Sequence, residues 1–483
     1  MNSADLAVAL PLLLISGTAV VVMLAIAIQR HHAATAAITL IGLGGSLLSL
    51  LFAASAIPRQ LTSLLVFDSY SLLYMALLLC AAAFVILLSY NYLEQRHEHR
   101  EEFYVLVLLA TAGAMVLAAS RSFVSLFLGL ELLSVSLYAL IAYIRSEAIS
   151  IEAGIKYLVL AASSSSVLLF GLALIYAESG SMELSQLATV LDQTVTSADR
   201  FPLIAGLMLV LTGVGFKLAV VPFHLWTPDV YEGAPLPVTA FIATVSKGGM
   251  FALILRWLHV RDTGLAGTTG LVLTIIALAS MLTGNLLALT QINVKRILAY
   301  SSIAHMGYAL VALLAGGALG APAATYYLAA YFTTILGAFG VMTILSGSDR
   351  EASYIDDYRG LFWRRPFLAA AFTAMLLSLA GIPLTAGFLG KFYVIAAGAS
   401  QSRWLLLFTL VVSSTIGLFY YLRILAAMFT KSSDTSPAPA PSRPVLSSLA
   451  TVALAVLTGL VFLLGLYPTP LWNAIVSAAR NLG

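Results

Sequence analysis

Four ionisable side chains stand where a membrane's hydrocarbon should be. Glu131 lies in FLGLELLSVSLYAL, Lys217 in GFKLAVVPFHLWTPD, Lys247 in FIATVSKGGM and Lys391 in GIPLTAGFLGKFYV. Glu131 follows Arg121 by ten residues, which at 1.5 Å per residue is ~15 Å, half the hydrocarbon thickness. Lys247 follows Pro235 by twelve residues, ~18 Å by the same rise. A charge at the bilayer centre costs at least ~2.5–3.5 kcal/mol, so such residues face a protein interior or a wet cavity. A desolvated lysine can be neutral or charged near neutral pH, and a nearby carboxylate favours the charged form. Moving that carboxylate releases the proton. One glutamate, several lysines and a histidine therefore make a switchable proton relay. The competing reading is a set of ion pairs that only lock helices together.

The backbone around two of these lysines is interrupted. Pro222 and His224 follow Lys217, while Gly381, Pro383 and Gly387 precede Lys391. Proline removes a helix hydrogen bond and clashes with the preceding turn. Broken helices at membrane depth are tolerated where they are buried in protein or line a cavity, and transporters place them at ion sites. The sequence predicts discontinuous spans at both places.

The rest of the chain supplies the elements that hold these residues. Of 483 residues, 61% are hydrophobic and 9% charged, against about 25% charged in soluble domains. Such a composition means a polytopic membrane protein. A net charge of +3 gives no argument for nucleic-acid binding. Cys80 is the single cysteine, which excludes an internal disulfide, an iron–sulfur site or a thiolate zinc site. Neither a Walker motif nor a G-x-G-x-x-G turn after a strand is present, and no His/Cys metal constellation stands out. Leu6 to Ile28 is too long for a signal-peptide core and reads as a retained first span.

Apolar runs of roughly 20 residues occur at 6–28, 33–56, 69–91, 102–119, 122–144, 153–177, 202–222, 235–258, 267–289, 298–317, 322–347, 366–399, 402–430 and 446–468. An even number of spans places both termini on one side. Loops after odd-numbered spans hold twelve Lys and Arg and those on the other side six. The positive-inside rule then puts both termini outside the cytoplasm. Within the spans lie Lys156, Lys217, Lys247, Arg256, Lys391 and Arg423. SMELSQLATVLDQT has the spacing of a short amphipathic surface helix. SSDTSPAPAPSRP, before the last span, is a Pro/Ser-rich linker.

FLGLELLSVSLYALIAY, GFKLAVVPFHLWTPDVYEGAPLPVTAFIATVSK, NVKRILAYSSIAHMGY and SLAGIPLTAGFLGKFYV resemble the antiporter-like membrane subunits of respiratory complex I. The resemblance covers essentially the whole chain. It implies an all-α polytopic fold of about 14 transmembrane helices. In that fold residues 1–101 form the first three helices. Residues 102–260 and 261–430 form two inverted five-helix repeats with spans 7 and 12 discontinuous, and residues 431–483 form a linker and the fourteenth helix. One paralogue in the family has a glutamate at the position of Lys391, and another carries a long lateral helix after the last span. This chain has the lysine and no sequence for the lateral helix.

By resemblance, Glu131 and Lys217 form an ion pair at one half-channel. Lys247 is the central relay lysine, Lys391 serves the other half-channel, and His224 lies between Lys217 and Lys247. His305 is a further relay candidate, and Lys156, near the cytoplasmic start of its span, a weaker one for proton uptake. Tyr300, Ser301 and Ser302 are expected to hold water. Arg256 and Arg423 are expected to be helix-end or packing residues. HLWTPD and Glu232 should fix the half-helix and its loop. The implied function is proton translocation in the membrane arm of a proton-translocating NADH:quinone oxidoreductase, in a bacterial inner membrane with periplasmic termini. FMN, iron–sulfur clusters and quinone would sit in partner subunits and no cofactor in this chain. Its surroundings would be other complex I subunits, the lipid bilayer and protons. The alternatives are a stand-alone Mrp-type sodium/proton antiporter subunit and a structural membrane-arm scaffold. A complex taking electrons from ferredoxin is a further possible host.

Overall fold

The computed structural model describes residues 2–96, 100–184, 201–259, 267–348, 350–430 and 448–480. The described residues form helices α1 (Ser3–Ile28), α2 (His32–Ala53), α3 (Ser69–Glu94), α4 (Glu102–Ala119), α5 (Phe123–Ile141), α6 (Ala148–Ser179) and α7 (Phe201–Leu218). Then come α8 (Trp226–Gly233), α9 (Leu236–Phe241), α10 (Lys247–His259), α11 (Thr268–Leu289), α12 (Val294–Ala315) and α13 (Gly317–Leu345). The chain continues through α14 (Leu361–Arg364), α15 (Pro366–Ala380), α16 (Ala386–Ser400), α17 (Trp404–Phe429), α18 (Ser448–Leu466) and α19 (Thr469–Ala479). Among the described residues, 13 helical stretches are long and apolar enough to cross a membrane, with Leu236–Leu258 counted as one. The shorter apolar helices α15 and α16 make up the predicted twelfth span in two pieces. The all-α polytopic architecture is thus the one the sequence implies.

Burial separates the centre from the rim. The Leu236–Leu258 stretch is 100% buried and α12 94%, whereas α1 is 22% buried. A helix that is apolar all round and enclosed on every side belongs to the core of a bundle, and these two carry Lys247 and His305. The peripheral helices turn leucine, valine and phenylalanine outward, Leu51 at 74% exposure and Phe408 at 70% among them, as lipid or a partner helix requires.

Both predicted breaks are present. At the first break α7 ends at Leu218, and Ala219 takes φ 60°, a left-handed conformation rare for a residue with a side chain. The freed backbone groups find partners. Val220 N–H donates to Gly215 O at 3.0 Å, Val221 N–H to Ser280 Oγ at 2.9 Å, and Trp226 Nε1 to Phe216 O at 3.0 Å. In the second break Gly381 has φ 87° and Leu384 φ 73°. Gly387 N–H donates to Ser378 Oγ at 3.0 Å, which in turn lies 3.0 Å from Thr334 Oγ1.

A Cβ on Gly387 would lie 1.9 Å from the Ser378 carbonyl oxygen. Backbone cannot yield as a flexible side chain can, so Gly387→Ala pushes the two half-helices apart. The expected result is a loss of at least about 3 kcal/mol, the upper end of overpacking costs. It should be read as a sharp fall in folded, membrane-inserted protein by size-exclusion fluorescence.

Three features depart from the sequence reading. The eighth span is not one regular helix: Ile242–Ser246 form a π-helical turn immediately before Lys247. Thr244 Oγ1 donates to Ala240 O at 2.7 Å, a side-chain bond that competes with the backbone ladder. Such π turns concentrate at functional sites. The chain also does not end its structure at the fourteenth span. After Pro468 it forms α19, whose Trp472 stacks on Tyr393 at 4.0 Å and whose Ile475 is buried. Eleven residues are too few to register as a span, although prolines at 468 and 470 are a helix-start signal. Finally, Arg59–Leu61 and Leu65–Phe67 pair as an antiparallel hairpin, tied to α1 by Arg59 Nε donating to Asp5 Oδ1 at 2.5 Å. The amphipathic segment expected at 181–194 lies outside the described residues beyond Leu184, and the Pro/Ser linker does so entirely.

Candidate proton-transfer site

Lys217 sits in the last turn of α7, 3% exposed, facing α5 and α6. Its Nζ donates to Ser134 Oγ at 2.9 Å and to Tyr157 OH at 3.1 Å. Tyr157 is wholly buried and packs against Trp226 at 5.0 Å between centroids. Glu131 lies one turn before Ser134 on α5. Among the described residues it makes no ion pair with Lys217 within 4.0 Å, and Glu131 Oε1 is buried without a hydrogen-bond partner. The direct Glu131–Lys217 ion pair implied by resemblance is therefore corrected. Lys217 makes its contact instead to Ser134, which follows Glu131 by three residues on the same helix.

Lys247 opens α10 and is 0% exposed. Its Nζ donates to Ser302 Oγ at 2.7 Å. Ser302 also accepts from Tyr331 OH at 2.7 Å and adjoins Tyr231 OH at 3.3 Å. His305 lies three residues further along α12, with Nδ1 2.6 Å from Tyr327 OH and Nε2 3.4 Å from Tyr421 OH. Tyr421 OH reaches Ser301 Oγ at 2.5 Å. Ser301, Ser302, His305 and Tyr308 recur at three- and four-residue steps, which stacks them along α12.

Lys391 is held differently. It follows its break and is 7% exposed. Its Nζ donates to Leu379 O and Ala380 O, both at 2.9 Å, and to Ser414 Oγ at 2.7 Å. The ammonium nitrogen thus caps the C-terminal carbonyls of α15, which the break leaves without helical partners. Its Nζ also lies 5.3 Å from the Tyr308 ring. Tyr308 OH accepts from Asn285 Nδ2 at 2.9 Å, and Tyr420 OH donates to Asn285 Oδ1 at 3.0 Å.

Other candidates fall outside this constellation. His224 is buried in the turn between α7 and α8, its Nδ1 without a partner, and it bonds neither Lys217 nor Lys247. Lys156 is 45% exposed and pairs with Glu152 at 2.7 Å and Asp229 at 3.2 Å. Asp229 pairs as well with Arg296 at 2.9 Å, and Arg296 with Glu232 at 2.8 Å. Partial burial raises the Asp229 carboxyl, but the bonds from Arg296 and Lys156 outweigh it and hold the group below its ordinary range. Lys156 is therefore in a surface charge network that straps α6, α8 and α12. Among the described residues, Tyr300 is not a hydrogen-bond partner of Lys217, Lys247 or Lys391. Arg256 holds Asp68 with two nitrogens at 2.6 and 2.9 Å, and Arg423 donates to the carbonyls of Leu289 and Gln291 at the end of α11. Arg256 thus binds the residue that caps α3, and Arg423, inside α17, packs on the end of α11.

Sequence reasoning missed the hydroxyls. Tyr157, Tyr231, Tyr327, Tyr331 and Tyr421 were not singled out, nor were Ser134 and Ser414. A signal existed. The chain has 21 tyrosines, and a phenol in hydrocarbon must bond through its hydroxyl. TYYLAAY places Tyr327 and Tyr331 four apart on α13, one helix face.

A bundle with two broken helices and buried lysines at the breaks defines a class. The chain belongs to the family described as NADH:quinone oxidoreductase/Mrp antiporter, transmembrane, which its residues 120–417 match. It is 49% identical to NADH-quinone oxidoreductase subunit N of Ectopseudomonas mendocina (strain ymp), over 97% of this chain and 96% of that protein. Among solved structures, it is similar to a chain of respiratory complex I from Thermus thermophilus with bound aureothin, at 33% identity and TM-score 0.81, covering 97% of this chain and 99% of the other. The Mrp complex from Dietzia sp. DQ12-45-1b offers a chain with TM-score 0.84 at 22% identity, covering 100% of this chain and 98% of that one, a likeness of fold.

Proposed function

We propose that this chain is a proton-translocating membrane-arm subunit of an NADH:quinone oxidoreductase. One observation carries the reading. Lys217, Lys247 and Lys391 are all buried, and each donates only to hydroxyls or carbonyls, with no carboxylate within 4.0 Å among the described residues. Ion pairs built to lock helices would place a partner on each amine. Amines solvated by rotatable hydroxyls can gain or lose a proton at little geometric cost. Glu131 lies one turn from the hydroxyl that Lys217 contacts, and His305 lies one turn beyond Ser302, the hydroxyl that Lys247 contacts. Loss of a proton at Lys247 Nζ leaves it able to accept from Ser302, whose hydroxyl is already bonded to Tyr331.

The chain itself would hold no redox group. FMN, iron–sulfur clusters and quinone chemistry would belong to partner subunits, and neighbouring membrane-arm subunits would cover its outward-facing apolar helices. Residues 102–260 and 261–430 would be the two inverted repeats, with 1–101 and 431–483 flanking them. The twelve-to-six distribution of basic loop residues supports periplasmic termini in a bacterial inner membrane.

Lys247→Ala tests the reading. In inverted membrane vesicles with NADH as donor, it should assemble on a native gel and lose most proton pumping, on the order of a hundredfold for a lost proton-transfer group. Normal pumping would remove Lys247 from the path. Lost assembly would favour the scaffold, and sodium-driven proton flux by the chain alone in liposomes would favour the stand-alone antiporter.

A further inference from the structure

We infer that Glu351 is a positioning residue that sets the Lys247–Ser302 contact by anchoring both partners of that contact at the same carboxylate. The inference rests on the relay reading of Lys247.

Glu351 lies in the connection between α13 and α14, with its side chain 12% exposed. Three donors from three parts of the chain converge on it. Tyr92 OH of α3 donates to Oε1 at 2.5 Å, Leu236 N–H at the start of α9 donates to Oε1 at 3.1 Å, and Lys295 Nζ of α12 donates to Oε2 at 2.7 Å. Lys295 is 1% exposed and also donates to Ala234 O at 2.7 Å. The ion pair therefore straddles Ala234-Pro235-Leu236, the joint between the half-helix α8 and the stretch that carries Lys247. The connection is itself laced to α12, with Val294 N–H donating to Ser353 O at 2.6 Å and Ile355 N–H to Ile292 O at 3.2 Å. Arg96 stacks over the Tyr92 ring at 3.7 Å and donates to Gly347 O at 3.1 Å, which closes the fourth side.

The geometry gives this anchor a particular reach. Leu236 begins the stretch that leads through the π turn to Lys247, eleven residues or roughly 16 Å away. Lys295 begins the helix that carries Ser302, seven residues or roughly 10 Å away. Packed helices move as near-rigid rods. A shift of the carboxylate changes the register of Lys247 against Ser302, and with it the 2.7 Å hydrogen bond. Burial raises the Glu351 carboxyl, but the Lys295 charge and the bonds from Lys295 and Tyr92 overcome this and hold it below the ordinary range. The anchor is therefore ionised at neutral pH. Removing its charge would strand a buried ammonium on Lys295.

The test is a double-mutant cycle in the assembled complex, with NADH-driven pumping as readout and native gel plus thermal unfolding as controls. Glu351→Gln keeps the shape and loses the charge, and should slow pumping on the order of tenfold, the scale of a modest misplacement of reacting groups. Ser302→Ala should slow it by a comparable factor. In the double variant the effects should not multiply, because both remove the same contact. If Glu351→Gln pumps normally, or if the two effects multiply, Glu351 does not act through Ser302 and the proposal falls. Should Glu351→Ala fail to assemble, Glu351→Gln carries the test. Lys247→Ala runs beside them. Normal pumping there would overturn the relay reading itself, whereas multiplying effects with a dead Lys247→Ala would overturn only the anchor.

Discussion

Lys217→Ala should abolish NADH-driven proton pumping while leaving the complex assembled. The expected loss is at least about a hundredfold, the lower range for removing a positioned proton-transfer group. The hydrogen-bonding cost should be small for a buried residue, and the cavity left by the stem is what Lys217→Met would fill. Lys217 Nζ donates to two hydroxyls, Ser134 Oγ and Tyr157 OH, and each hydroxyl can rotate to another partner once the amine is gone. Lys217 caps no helix end and holds no carboxylate within 4.0 Å. Glu131 would lose no hydrogen bond, because its Oε1 has no partner to begin with. Lys217→Arg gives a second measurement. A guanidinium cannot release its proton in a protein, so this variant should keep the charge that Glu131 senses and still fail to pump. Pumping at the wild-type rate in Lys217→Arg would show that Lys217 serves by its charge and not by exchanging a proton.

The spans and breaks were legible because membranes write them in large letters. Twenty apolar residues announce a span, and proline or glycine beside a deep lysine announces a break. Pro222 and Gly381 were therefore read correctly as interruptions. The π turn before Lys247 was not, because IATVS has no proline or glycine to mark it. Nor was the placement of Lys391 on the carbonyls of α15. The sequence puts that lysine four residues after Gly387, but its twelve-residue reach back to Leu379 exists only when the half-helices fold over each other. Glu351 was unreadable for the same reason. It stands in a polar connection, DREASYIDDYRG, among other acids, and nothing local marks it as the one that three distant donors would bury. His224 shows the converse. Its type and spacing looked purposeful, and the fold leaves it apart from both lysines.

Lys391 should behave unlike Lys217 when it is removed, because its amine supports the fold as well as the proposed relay. Two carbonyls, Leu379 O and Ala380 O, depend on it at the end of α15. Neither can rotate as a hydroxyl can. Lys391→Met keeps the apolar stem and deletes the donor, which leaves buried acceptors at a cost of about 1–3 kcal/mol for each one unsatisfied. The expected result is a complex that assembles with a clearly lower thermal midpoint and pumps at less than about a tenth of the normal rate. Lys217→Met, by the same measurement, should pump as poorly with a midpoint near the wild type. Lys391→Arg separates the two roles, since a guanidinium can donate to carbonyls but is permanently charged. It should recover part of the midpoint and none of the pumping. Equal thermal losses for Lys217→Met and Lys391→Met would mean that the capping of α15 contributes nothing measurable. On the proposed relay reading, the two roles are compatible at Lys391. A neutral amine keeps two N–H donors, enough for the two carbonyls of α15, so the proton given up is the one that faces Ser414 Oγ.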